Sequence, residues 1–150
     1  MPQTINTAVL SALAASLFGR VAYTAPANLH YAFVYGATSP LAGGTEVSTS
    51  GTNYARTAVA NDQSTGFNAP SGATDTVTIT NKSDIVSTRS TAAWHPNGNP
   101  INCVRIYDAA SGGNLLAGSM LPVSRTVDAA GIRLTIEAGQ QSFQLASPVA

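Results

Sequence analysis

Hydrophobic and polar residues alternate along the chain with two different periods. Near the N-terminus, apolar residues recur at every fourth position: Ile5, Val9, Leu13 and Leu17, with Leu10 widening the stripe. This spacing places the side chains on one face of an α-helix. Thr4 can cap the start of that helix and Gly19 can end it. The pattern therefore predicts a short amphipathic helix within residues 1–20, which needs a surface to pack on.

Beyond residue 28 the period is two, which is typical of β-strands. The segment LHYAFVY (29–35) is apolar on both faces, as in a central strand. In DTVTITN (75–81) apolar residues alternate with threonines, as in a strand with one buried face. Shorter segments of the same kind are also predicted as strands: YARTAVA (54–60), DIVSTRS (84–90), INCVRIYD (101–108), NLLAGSML (114–121), SRTVD (124–128), GIRLTIE (131–137) and QSFQLAS (141–147).

The number and spacing of these segments predict the fold class. Seven to nine short strands recur at intervals of roughly 8–12 residues, without an alternation of strands and helices. We therefore expect a mainly β fold, an antiparallel β-sandwich or jelly-roll-like domain with one short N-terminal α-helix. A chain of 150 residues is expected to form a single domain. Its helical segment would occupy residues 1–20 and its sandwich residues 28–148.

Two polar segments lie between the predicted strands. WHPNGNP (94–100) contains two prolines and an Asn-Gly pair, so we expect a turn or a protruding loop. DAASGGNLL (108–116) is rich in glycine, and glycine-rich bends sometimes cradle phosphate. However, no Lys or Arg follows Gly113 before Arg125, and the flanking residues have the pattern of strands. The sequence favours a tight connection between two strands.

The composition restricts the possible partners. Charged residues make up only 9% of the chain, and seven basic residues balance seven acidic ones. Such a surface has no basic field to attract nucleic acid or anionic lipid, and it tolerates close association with other proteins. We expect no nucleic-acid partner and no membrane partner. The apolar N-terminal run is interrupted by polar residues, and no positively charged region precedes it as in a secretory signal.

Motifs of catalysis and metal binding are missing from the sequence. His30 and His95 have no further ligand at a metal-binding spacing, and no GxSxG nucleophile motif occurs. His95, Asp108 and a serine could form a triad only if the fold brings them together. Cys103 lies in an apolar alternation and is predicted to be a buried, unreactive thiol. We predict a protein that is not an enzyme and that uses no cofactor and no metal.

Three longer segments resemble a known family. They are AYTAPANLHYAFVYGA (22–37), GTEVSTSGTNYARTAVA (44–60) and IYDAASGGNLLAGSMLPVSRTVDAAGIRLTIEAGQQSFQLA (106–146). Together they are similar to small virion proteins of tailed bacteriophages, commonly called tail fibre proteins and in some cases assigned to the head. One segment departs from the family, in which a Trp-Gly-Thr link is usual. Here Trp94 is followed by the longer polar loop HPNGNP.

The resemblance implies a non-enzymatic structural protein of the virion, assembled in the host cytoplasm. A single domain without repeats or a shaft favours a capsid decoration or cement protein that stabilises the head lattice in many copies. Its partners would be the major capsid protein or other virion proteins, and it would form a homo-oligomer, a trimer or a dimer. The alternative is a tail or tail-fibre component that contributes to host receptor binding. For that role Trp94, Tyr54 and Tyr107 are candidates for stacking on a sugar.

Contacts between subunits are expected in two places, the N-terminal helix and the WHPNGNP loop. The helix could equally cap the sandwich of its own chain. The candidate contact residues are Ile5, Val9, Leu13, Trp94, His95 and Asn97.

Overall fold

A computed structural model describes residues 1–73, 76–95 and 98–146 of the protein. These residues contain one helix and eleven strands, which follow one another along the chain: β1 (Pro2–Ile5), α1 (Thr7–Leu17), β2 (Asn28–Ala37), β3 (Gly43–Glu46), β4 (Thr57–Ala60), β5 (Ser71–Ala73), β6 (Thr76–Thr80), β7 (Ile85–Val86), β8 (Ile101–Tyr107), β9 (Leu115–Arg125), β10 (Thr135–Ile136) and β11 (Ser142–Ala146).

Most of the strands belong to one extended sheet. Its order is β3-β2-β8-β9-β1-β11-β6-β5, with β4 also paired to β2, while β7 and β10 form a separate ribbon. The pairings within the described residues are antiparallel, with the exception of β1 beside β11. The prediction of a mainly β, mostly antiparallel fold with one helix is confirmed, and the architecture is consistent with a β-sandwich.

Strand β1 joins the two halves of the extended sheet. Thr4 and Ile5 pair with β9, whereas Pro2 and Gln3 pair with β11. A single short strand thus belongs to both halves, which is how a chain can connect two layers of sheet. The sequence pattern had placed these residues in the helix, and that prediction is wrong because their backbone groups bond to neighbouring strands.

Helix α1 begins only after β1 has ended. The Asn6 side-chain oxygen accepts a hydrogen bond of 2.9 Å from the backbone N–H of Ala8, so Asn6 rather than Thr4 is the N-cap. Thr4 cannot cap the helix because it lies within β1, paired with Gly118 of β9, and the helix begins only at Thr7. At the other end, Gly19 has a φ of 69°, which suits a residue that ends a helix.

Strands β2 and β8 form the centre of the fold and are buried on both faces. On one face, Tyr31 and Phe33 of β2 pack with Val104 and Ile106 of β8 in the main core. On the other face, Val34 belongs to a second cluster with Cys103. The apolar pattern on both sides of LHYAFVY therefore predicted this central strand correctly.

The segment 38–42 closes the second face of the sheet. Arg105 holds it there, because its Nε donates to the Pro40 carbonyl at 3.1 Å and its Nη2 to the Gly43 carbonyl at 2.6 Å. Gly118 lies against the same Pro40 carbonyl, and any Cβ at position 118 would overlap it. The close approach of this segment to the sheet therefore requires a glycine at position 118.

Some predicted strands differ in length from the observed ones. NLLAGSML and SRTVD are not two strands, because β9 continues from the first into the second and ends at Arg125. GIRLTIE forms a strand only at Thr135–Ile136. The reason is that the N–H groups of Ile132 and Leu134 donate to the hydroxyls of Ser90 and Ser87 instead of to a neighbouring strand.

Candidate functional site

Helix α1 lies on the outside of the domain, and none of its side chains is fully buried. Leu17 and Phe18 are 81% and 77% exposed. We use the name α1 surface for the exposed apolar side chains of the helix and of the residues that follow it: Leu10, Leu13, Leu17, Phe18 and Val21. Contiguous exposed apolar patches are uncommon in monomeric proteins and typically mark sites of interaction.

An apolar groove continues the α1 surface onto the sheet. Its volume is about 210 Å³, and its walls are Leu13 from the helix with Val77 of β6 and Leu145 of β11. Val77 and Leu145 are cross-strand partners and are 43% and 50% exposed. At its base, the rings of Phe67 and Phe143 meet edge to face, with centroids 5.8 Å apart. Helix and groove together present one apolar region.

The structure brings three of the predicted contact residues into this region. Ile5 is half-buried in β1, and Val9 is half-buried on the side of α1 that faces Leu29 and Leu116. Leu13 lies at the groove. Helix α1 thus packs against the sandwich through half-buried residues such as Val9, while Leu17 and Phe18 are exposed to solvent. The role of these residues between subunits stays a prediction.

Trp94 lies in the core of the domain, contrary to expectation. It is 2% exposed, and its indole N–H donates to the Thr52 carbonyl at 3.2 Å. Its ring packs against Phe33 and Tyr54, with centroid separations of 6.0 and 5.2 Å. Trp94 therefore has no free face for a sugar or another subunit, and the interpretation of it as an exposed loop residue is wrong. Tyr54, only 3% exposed, is likewise unavailable for stacking.

His95, the next residue of the predicted loop, is largely buried. It is 8% exposed, and neither of its ring nitrogens has a hydrogen-bond partner in the part of the chain that the structure describes. Asn97 lies outside the described residues.

A cluster centred on Arg56 brings together the motifs that carried the family resemblance. The guanidinium forms two bonds to Glu46, Nη2 to Oε2 at 2.7 Å and Nε to Oε1 at 2.8 Å. Its Nη1 donates to the carbonyls of Ala109 and Gly112 at 2.9 and 2.8 Å. The guanidinium carbon also lies 3.7 Å from the centre of the Tyr107 ring. One arginine thus connects β3 to the DAASGGNLL loop. We refer to these contacts as the Arg56 clamp.

Tyr54 extends the Arg56 clamp into the core. Its hydroxyl accepts a bond of 3.0 Å from the Phe33 N–H and donates one of 3.0 Å to Glu46. Burial, and next the negative charge of Glu46, raise the pKa of the Tyr54 phenol far above its usual value. The phenol therefore stays protonated and acts as a hydrogen-bond donor to Glu46.

The DAASGGNLL loop connects β8 to β9, as the sequence predicted. The two oxygens of Asp108 accept bonds of 2.8 and 2.7 Å from the side-chain and backbone nitrogens of Asn114, and these bonds lower the pKa of Asp108. Gly112 and Gly113 have φ angles of 59° and 73°, which other residues rarely adopt. The carboxylate of Asp108 serves the turn and has no bond to His95 among the described residues.

Cys103 and Asn81 are fully buried within the domain. Burial raises the pKa of the Cys103 thiol, as expected of an unreactive cysteine. The side-chain amide of Asn81 bonds to the backbone of Ser83, Glu137 and Gln141. Within the described ranges, three or more possible ligands of a metal ion do not come together. The helix found in those ranges is too short to cross a membrane.

The comparison with protein families decides the class of this protein. The model of the family described as podophage GP4 fiber I protein gp80 matches residues 4–144. The chain belongs to this family. The match extends from β1 to β11, so it includes α1 and the Arg56 clamp. Family membership makes the chain a bacteriophage structural protein and a component of the virion. A comparison with curated proteins finds no match.

Sequence reasoning missed the ion pair at the centre of the Arg56 clamp. A signal was available, since Arg56 and Glu46 are opposite charges ten positions apart in a chain with very few charges. Both also lie in the segment GTEVSTSGTNYARTAVA, which resembles the family but does not by itself reveal the pairing.

Proposed function

We propose that this protein is a component of the virion fibre and that it assembles with a second copy of itself through the α1 surface. The observation that carries the proposal is that, in a member of a fibre family, none of the side chains of α1 is fully buried. Its large apolar residues are left exposed beside an apolar groove. Association that covers this surface would contribute about 25 cal/mol for each Å² of apolar area removed from water.

Charge supports a second copy as the occupant of the α1 surface. The first turn of α1 holds no acidic residue and its last turn no basic residue. The helix Thr7–Leu17 carries no charged side chain, so two such helices can face each other without like charges meeting. The exposed Arg20 lies beyond the end of the helix, between Phe18 and Val21. In shape, an exposed helix ridge and an adjacent groove occur on the same chain. A symmetric dimer could therefore place each ridge in the partner's groove.

The family match supports a location in a fibre of the virion in preference to one on its head. A capsid decoration role was favoured from the sequence because the chain lacks repeats and a shaft. The matching family is described as a fibre protein, which suits the tail or tail-fibre alternative better. A compact domain can be one module of a fibre, and repeated copies give strong attachment through avidity.

Cryo-electron microscopy of intact particles tests the fibre location. A gold-labelled antibody against this protein should mark fibres at the tail, in a few copies per particle. Hundreds of copies on the head lattice would contradict the fibre location and favour capsid decoration. Quantitative mass spectrometry against the major capsid protein gives the same distinction as a ratio of copies.

A further inference from the structure

A second cavity lies between the later part of β9 and the segment that contains β10. Its volume is about 420 Å³, within the range of small-molecule sites. Arg125 borders it on the β9 side, and Arg133 and Glu137 border it on the other. It shares no lining residue with the groove beside α1. We call it the β9–β10 cleft.

An irregularity in β9 builds one wall of the cleft. Cys103 pairs with Met120 and Ile101 pairs with Arg125, so β9 contains three more residues than β8 between these two pairs. The extra residues bulge away from β8, and Pro122 among them has no N–H to pair. Bulges of this kind redirect side chains and are common next to functional sites. The bulge brings Leu121, Pro122 and Val123 to the cleft wall.

Four of the seven basic residues, Arg20, Arg89, Arg125 and Arg133, are exposed and have no side-chain hydrogen bond or ion pair within the described residues, and two of these four border the cleft. The other three, Arg56, Arg105 and Lys82, donate to acceptors of their own chain. The two at the cleft, Arg125 and Arg133, border the same cavity.

We propose that the β9–β10 cleft binds an anionic group, a carboxylate or a phosphate, carried by a small hydroxylated molecule such as an acidic sugar. A guanidinium can donate two parallel hydrogen bonds to either anion. Pro122 and Val123 also line the cleft and are exposed, so they offer an apolar wall for the C–H face of a sugar ring.

Glu137 limits the ligand to one of low charge. Its carboxylate can accept a hydrogen bond from a hydroxyl group, but it repels a second negative charge in the same cleft. One acidic group among neutral hydroxyls fits two arginines and one glutamate. This inference goes beyond fibre assembly and uses none of the residues of the α1 surface.

Nuclear magnetic resonance titrations of the isotope-labelled full chain test the proposal, with sodium glucuronate, inorganic phosphate and glucose as probes. Glucuronate should shift the resonances of residues around the cleft, and glucose should shift them far less. The double substitution Arg125→Gln with Arg133→Gln should weaken binding at least about tenfold, because charge-assisted hydrogen bonds are lost. Arg89→Gln, which removes an exposed arginine outside the cleft, should leave binding unchanged.

The substitution Glu137→Gln should change the affinity in the opposite direction. Because it removes a negative charge from the cleft, it should tighten the binding of phosphate. Tighter binding of glucuronate than of phosphate supports an acidic sugar, and the reverse supports a phosphate source for the same anion site. Shifts that are absent, or that persist in the double variant while its melting curve shows it is folded, would overturn the proposal. These results do not depend on self-association, so they can be separated from a failure of the α1 surface.

Discussion

Arg56 and Glu46 form a two-point ion pair in which the side chain of Arg56 is only 7% exposed and that of Glu46 28%. Paired and largely desolvated, the guanidinium also holds the carbonyls of Ala109 and Gly112. The position of the exposed DAASGGNLL loop thus depends on one side chain from another part of the chain. The Arg56 clamp therefore holds GTEVSTSGTNYARTAVA and DAASGGNLL, two segments far apart in the sequence, in contact in the folded protein.

Replacing Arg56 by lysine should destabilise the domain by about 2–4 kcal/mol, since lysine cannot make the planar fork or stack on Tyr107. Urea unfolding followed by circular dichroism measures the loss. The matched control Arg89→Lys changes an exposed arginine in the same way and should alter stability by less than about 0.5 kcal/mol. Equal effects of the two substitutions would contradict the account of the clamp.

Gly118→Ala should detach the segment 38–42 from the sheet, because the new methyl group overlaps the Pro40 carbonyl. We expect a loss of stability of about 1–3 kcal/mol. The Cys103 thiol lies 3.6 Å from that same carbonyl and is fully buried. Its reaction with an aromatic disulfide reagent should therefore become faster in the variant.

A control for this substitution is Gly131→Ala, where φ is 92° and no atom lies near the added methyl group. It should cost about 1 kcal/mol through backbone strain and leave the reactivity of Cys103 unchanged. If both substitutions increase the labelling rate equally, the increase reflects general instability and not the release of segment 38–42.

The fluorescence of Trp94, the only tryptophan of the chain, should report a core environment. We expect emission at short wavelength and little quenching by acrylamide in the native protein, with both properties lost in urea. Strong quenching of the folded protein would show that Trp94 lies in an exposed loop.

Asp62 should make a contribution to stability that disappears in acid. Its Oδ1 accepts a 2.8 Å hydrogen bond from the Thr65 N–H, the largest cause of a pKa lowered to about 2. Because the folded pKa is depressed, the contribution is present above the unfolded pKa of 3.8 and is lost as the pH falls through about 2.

The measurement for Asp62 is the stability difference between wild type and Asp62→Asn from about pH 6 down to about pH 2. The advantage of wild type should be constant at the upper end and should shrink below about pH 4. Asp128→Asn removes an exposed carboxylate and serves as the control. An Asp62 effect that does not change with pH would contradict this assignment.

The sequence predicted the central strands well because their pattern is strong. β2 is apolar on both faces and β8 was predicted as a strand from the alternation of its residues; in the structure both faces of the two strands are covered. The DAASGGNLL turn was also predictable, since the residues that make its bonds and positive φ angles are local. Periodicity is a reliable guide where burial or local chemistry decides the structure.

Other features depend on contacts between distant parts of the chain. Ile5 fits the helical stripe, but the pairing of β1 with β9 makes it part of a strand. Trp94 precedes a loop rich in proline, yet its ring fills the core beside Phe33. The ion pair joins Glu46, at the end of β3, to Arg56, which directly precedes β4. Such outcomes are decided by tertiary packing, which a local pattern does not contain.

Sedimentation velocity of the purified protein over a range of concentrations tests self-assembly through the α1 surface most directly. We predict that wild type forms a defined oligomer and that Leu17→Ser with Phe18→Ser shifts it to the monomer while the fold is retained. Val86→Thr, which removes an exposed apolar group outside the α1 surface, should leave the oligomer intact. Wild type that remains monomeric at every concentration, or an oligomer unaffected by the double substitution, would contradict the account.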